Sequence, residues 1–66
     1  MWMVRRYFNE RLGWLTLVQG TEEACRWTYR IAATRGYVVD LYDGAGLLVE
    51  RSPAALTRPG DIVTRR

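Results

Sequence analysis

The chain of 66 residues has no lysine and no histidine, and it has one cysteine, one serine and two prolines. Each scarcity closes a route. Without histidine the commonest general base is missing. A single cysteine, Cys25, forms no intrachain disulfide, and no Cys/His cluster is present to hold zinc. Cys25 falls in an expected helix, close to its buried stripe and with no histidine to activate it, so an inert thiol is expected. Ser52 precedes Pro53, where it reads as a helix cap followed by proline at the first helical position. The glycines of Asp43-Gly44-Ala45-Gly46 are not followed by the lysine and hydroxyl residue of a phosphate loop. Catalysis, metal and cofactor are therefore not expected. No apolar run approaches the ~20 residues of a membrane span. Arg5 and Arg6 fall where a signal peptide needs its apolar stretch, and a lone cysteine fits a reducing compartment. A cytoplasmic location is the expectation.

What the chain does have is aromatic and arginine-rich. Three Trp, four Tyr and one Phe are a heavy payload for a single domain over residues 1–66. A chain this short buries only about 60% of the surface its unfolded state exposes. The large side chains must supply the core, and dimerisation is a second source of burial, so monomer and homodimer both stay open. All ten basic residues are arginine, against seven acids, for a net charge of +3. Arginine's planar fork suits phosphate and carboxylate and stacks on aromatics. Codon usage rich in Arg, Ala and Gly would produce the same bias, and a surplus of three is mild for a nucleic-acid-binding domain.

Residues 2–8, WMVRRYF, have the composition of a strand. Alternation puts Trp2, Val4, Arg6 and Phe8 on one face and Met3, Arg5 and Tyr7 on the other. After the polar link Asn9-Glu10-Arg11, residues 12–19 resume the pattern as a second strand, which reads as a hairpin. Thr21 is a good helix N-cap, Glu22 and Glu23 sit in the favourable first turn, and Gly36 marks the stop. Residues 37–42 form a third strand and 47–51 a fourth, joined by the Asp43–Gly46 turn. Pairing Leu41 with Leu47 and Val39 with Val49 would give that hairpin one apolar face. Residues 53–56 suggest a turn of helix, and 62–64 a short last strand. The expected fold is α+β: an antiparallel sheet of four or five strands in the order β-β-α-β-β, with a possible fifth strand, and one helix packed on one face.

Along the helix, Ala24, Cys25, Trp27, Thr28, Ile31 and Ala32 form the expected core-facing stripe, with Tyr29 at its border and the stem of Arg35 near it in the last turn. Glu22, Glu23, Arg26 and Arg30 fall opposite, spaced for acid-to-arginine pairs of ~0.2–0.5 kcal/mol each. That helix reads as scaffold with a solvated outer face. A basic patch is the stronger binding candidate: if the last strand pairs beside the first, Arg5, Arg6, Arg11, Arg58, Arg65 and Arg66 gather near Trp2 and Tyr7. Arg5 and Arg6 are consecutive in a strand, so at most one of them joins a given patch; scattered solubilising charge is the plainer explanation. Asp40, Asp43, Glu50 and Asp61 make the C-terminal half more acidic, although Asp43 and Asp61 also suit turns for backbone reasons alone.

No family motif occurs in the chain. In size, compact α/β order, lack of catalytic residues and aromatic-rich body, the whole chain resembles the small proteins that phages encode to block host machinery, anti-CRISPR proteins among them. The resemblance implies a steric inhibitor that covers a docking or nucleic-acid-binding surface on a larger protein or nucleoprotein complex, in the cytoplasm of the host. Aromatic residues and arginine are the usual interface anchors; Trp2, Arg6, Tyr7, Arg11, Tyr42 and Arg58 are the candidate partner-binding residues. The alternative is a small nucleic-acid binder that uses the terminal arginines, with Tyr7 or Trp14 stacking on bases.

Overall fold

The computed structural model describes residues 1–53. It contains β1 (Trp2–Tyr7), β2 (Trp14–Gly20), α1 (Glu22–Thr34), β3 (Val39–Tyr42) and β4 (Leu48–Ser52). The fold is α+β, with all four strands in one antiparallel sheet of order β2-β1-β3-β4. The helix packs on one face, across β1, β2 and β3. Because β2 and β3 both run antiparallel to β1 and flank it, α1 crosses over β1 to connect them. The expected helical turn beyond Pro53 and the strand at 62–64 lie outside the described residues. Ser52 itself is the last residue of β4.

Local chemistry sets each boundary. In the first hairpin the Asn9 side chain accepts from the N–H groups of Arg11 (2.9 Å) and Leu12 (2.8 Å). Gly13, at φ +69°, turns the chain back, and Phe8 N–H donates to its carbonyl at 3.0 Å. Thr21 caps α1 as expected, its hydroxyl accepting from Ala24 N–H at 3.2 Å. At the other end Gly36 adopts φ +86°, which lets Tyr37 N–H reach back to the Ala32 carbonyl at 3.1 Å.

The core is small. Val4, Cys25, Tyr29, Ala32, Val39 and Leu41 are buried, with Trp2, Val18, Ala33 and Tyr37 packed around them. Burial of Val4, Val39 and Leu41 contributes roughly 1.5–3 kcal/mol each. Two expectations fail here. Trp27 does not turn inward: it is 62% exposed, and the buried helix stripe is Cys25, Tyr29 and Ala32. The sheet already presents Val4, Val39 and Leu41, so small Cys25 and Ala32 let the helix sit close, and the bulky indole is displaced to the flank.

The second failure is the register of β3 and β4. Leu41 lies opposite Glu50 and Val39 opposite Ser52, in place of Leu47 and Val49. The cause is the turn. Asp43 N–H donates to Leu47 O at 2.9 Å, leaving a three-residue loop with Gly46 at φ +86°. The Asp43 carboxylate also accepts from the N–H groups of Ala45 and Leu47. A bulge between Leu41 and Tyr42 then brings Asp40 opposite Arg51.

Candidate interaction surfaces

Strand alternation and the register place one set of side chains on the face of the sheet that no helix covers. Met3, Arg5 and Tyr7 come from β1, Trp14 and Thr16 from β2, Asp40 and Tyr42 from β3, and Arg51 from β4. The Tyr7 and Trp14 rings meet edge to face, 5.6 Å apart at 64°. Arg5 Nη2 donates to the Trp14 carbonyl at 3.2 Å. Asp40 Oδ2 accepts from Arg51 Nη2 at 3.1 Å and from the Tyr42 hydroxyl at 3.3 Å. Neighbours cover Asp40 so well that it is 1% exposed, although it stands on the helix-free side. Burial, then the Asp40 charge and the hydrogen bond to it, raise the Tyr42 pKa above its ordinary 10.0, while Arg5 and Arg51 pull it the other way. The phenol therefore stays protonated and donating.

The face is nearly balanced in charge, with two arginines over one carboxylate. The same holds for residues 1–53 as a whole, which carry seven arginines and six acids. Arg58, Arg65, Arg66 and Asp61, which supply the rest of the surplus, lie outside the described residues.

The five candidate residues that are described do not converge. Tyr7 and Tyr42 stand on the helix-free face. Trp2 points to the helix side and packs on the core, with the Arg26 guanidinium 5.1 Å from its ring. Arg6 is also on the helix side, held between the Phe8 ring at 4.1 Å and the Tyr37 ring at 3.8 Å, with its Nε buried and without a hydrogen-bond partner. Arg11 is exposed in the β1–β2 turn, and Arg58 lies outside the described residues. β2 and β3 occupy both edges of β1, so the basic patch cannot rest on a last strand paired beside the first. Met3, Arg5 and Arg51 join Tyr7 and Tyr42 on the helix-free face. Parity along β1 already put Met3, Arg5 and Tyr7 together; Arg51 needed the true hairpin register.

A second surface runs along the flank between α1 and β2. On β2, Leu15 and Leu17 are 41% and 40% exposed, and Trp27 of α1 is 62% exposed. Leu17 borders a groove of about 170 Å³ that Trp27, Thr28, Ile31, Ala32, Arg35 and Tyr37 also line. Its sequence signal is the run from Leu12 to Thr21, which has no charged residue. On the outer helix face the expected ladder begins as drawn, with Glu22 to Arg26 at 2.8 Å, and it extends to Glu50 of β4 at 3.9 Å.

Among the described residues no helix is long and apolar enough to cross a membrane, and no three carboxylate or thiol groups converge as a metal site would need. No family model, no curated protein and no solved structure matches the chain.

Proposed function

We propose that the protein is a non-catalytic binding domain that acts in the cytoplasm by covering a surface on a larger protein or nucleoprotein assembly, as a steric inhibitor would. The observation that carries this reading is the helix-free face, where Met3, Arg5, Tyr7, Trp14, Tyr42 and Arg51 lie side by side. Aromatic residues, methionine and arginine are the side chains enriched at protein interfaces. Their internal hydrogen bonds hold them in place before a partner arrives, which lowers the entropy cost of docking. The partner face that fits is apolar with a few carboxylates, complementary to the slight positive charge left by Arg5 and Arg51 over Asp40. Nucleic acid fits less well. The described body is close to neutral, Arg51 is engaged by Asp40, and the 64° between the Tyr7 and Trp14 rings denies a base a parallel seat on both.

The test uses Thr16→Glu, which adds a carboxylate to the exposed part of this face without touching the core. A partner captured by the full-length wild type should bind the purified protein directly and lose that binding with Thr16→Glu. Fluorescence anisotropy with single-stranded DNA and RNA should show no saturable binding at about 50 mM salt. Tight binding there, falling steeply by about 200 mM, would establish the nucleic-acid alternative instead. Retention of the protein partner by both Thr16→Glu and a Tyr7→Ala/Tyr42→Ala variant would remove this face from the interface.

A further inference from the structure

We infer that the flank formed by α1 and β2 is the interface of a homodimer, in which two copies of α1 pack antiparallel about a twofold axis. The argument starts from spacing. Glu23, Trp27, Ile31 and Arg35 recur every four residues and so form one ridge along the helix. All four are at least partly accessible, and Trp27 is the most exposed aromatic side chain of the described residues at 62%. Read backwards, the ridge complements itself. In an antiparallel pair Glu23 faces Arg35 of the second copy, Trp27 faces its Ile31, and the same contacts repeat across the axis. A twofold interface demands this kind of reciprocity.

Two further observations fit the same occupant. Glu23 and Arg35 take part in no ion pair among the described residues, whereas Glu22, Arg26, Glu50, Asp40 and Arg51 all do. The ridge thus has an acid at one end and a base at the other, both available to a reversed copy. The groove beside it measures about 170 Å³ and is walled by Trp27, Ile31 and Arg35 of the ridge itself together with Leu17 and Tyr37. A cavity of ~150 Å³ admits a benzene ring, so the groove has room for one six-membered ring of a side chain from a second copy. In the reversed arrangement the Trp27 indole of each copy enters the groove that Ile31 of the other lines, and Leu15 and Leu17 widen the apolar contact. No charge in the run from Leu12 to Thr21 opposes a second copy of itself. The small core gives dimerisation a purpose, since it buries apolar surface that the isolated domain leaves wet.

Sedimentation equilibrium of the full chain, across roughly micromolar to millimolar concentration, tests this with a readout distinct from partner capture. The wild type should approach twice its 7.7 kDa chain mass. Trp27→Ala should weaken association at least tenfold while melting as a folded domain. Glu23→Arg and Arg35→Glu should each weaken it similarly, because each sets like charges opposite one another. The double variant Glu23→Arg/Arg35→Glu restores opposite charges in an antiparallel pair and should recover most of the wild-type affinity. A wild type that stays at 7.7 kDa throughout overturns the inference, as does a dimer that Trp27→Ala leaves intact. A double variant no tighter than the singles overturns the antiparallel geometry. Thr16→Glu, on the other face of the sheet, should leave the dimer unchanged, so the two surfaces fail or stand separately.

Discussion

Replacing Arg51 by methionine should destabilise the fold far more than a change at a half-exposed strand position normally does. Asp40 is 1% exposed and accepts hydrogen bonds from Arg51 at 3.1 Å and Tyr42 at 3.3 Å. Removing one partner of a buried ion pair costs about 3–5 kcal/mol, because the remaining charge stays buried. Two features reduce that figure here: the Arg51 side chain is 29% exposed, so water screens the pair, and Tyr42 continues to donate. A loss of roughly 2–3 kcal/mol is expected. A chain of this length has about 3–10 kcal/mol in all, so the variant forfeits a large share. At ~4–8 °C per kcal/mol for so small a domain, the melting temperature should drop by about 8–24 °C. Thermal unfolding followed by circular dichroism at neutral pH reads this directly. Arg51→Met combined with Asp40→Leu removes both charges and should regain most of the loss. An Arg51→Met protein melting within ~3 °C of wild type, or a double variant no better than the single, would refute a charge-held Asp40.

Two further outcomes follow from the same geometry. Leu41 is fully buried at the centre of the core, so Leu41→Ala should cost about 2–5 kcal/mol. It should shift the urea midpoint at unchanged slope; a midpoint near that of the wild type would mean the core is organised around other residues. The raised pKa of Tyr42 means that the fold favours the protonated phenol. Its contribution is complete below the unfolded value of 10.0 and disappears as pH rises through the higher folded value. Wild type should therefore lose melting temperature more steeply than Tyr42→Phe above roughly pH 10, and parallel curves would show that folding does not raise the Tyr42 pKa.

The helix, its cap at Thr21 and its stop at Gly36 were legible because each depends on a few adjacent residues. The four strands and the helix on one face followed from alternation and from the turn residues. The hairpin register was not legible, since matching Leu41 to Leu47 ignores how tightly Asp43 and Gly46 close the loop. The inward face of α1 was not legible for a related reason. Periodicity weights the largest apolar residue, Trp27, whereas the close approach of helix and sheet favours Cys25 and Ala32. The helix-free site was half readable: parity alone groups Met3, Arg5 and Tyr7. Its Asp40–Arg51–Tyr42 portion depends on a bulge that no spacing rule announces, and the β1–β3 adjacency that joins the two halves is a property of the whole chain.

That adjacency also governs how the domain assembles. Each hairpin can close locally, yet the sheet is complete only when Met3 to Arg6 find Val39 to Tyr42 across the intervening hairpin and helix. An isolated two-stranded hairpin is marginal in water, so neither half of the sheet persists until the long loop between β1 and β3 has closed. Formation of the native state is therefore limited by a distant encounter in the chain, and the helix, although the best-encoded element locally, is stabilised only once that encounter has occurred.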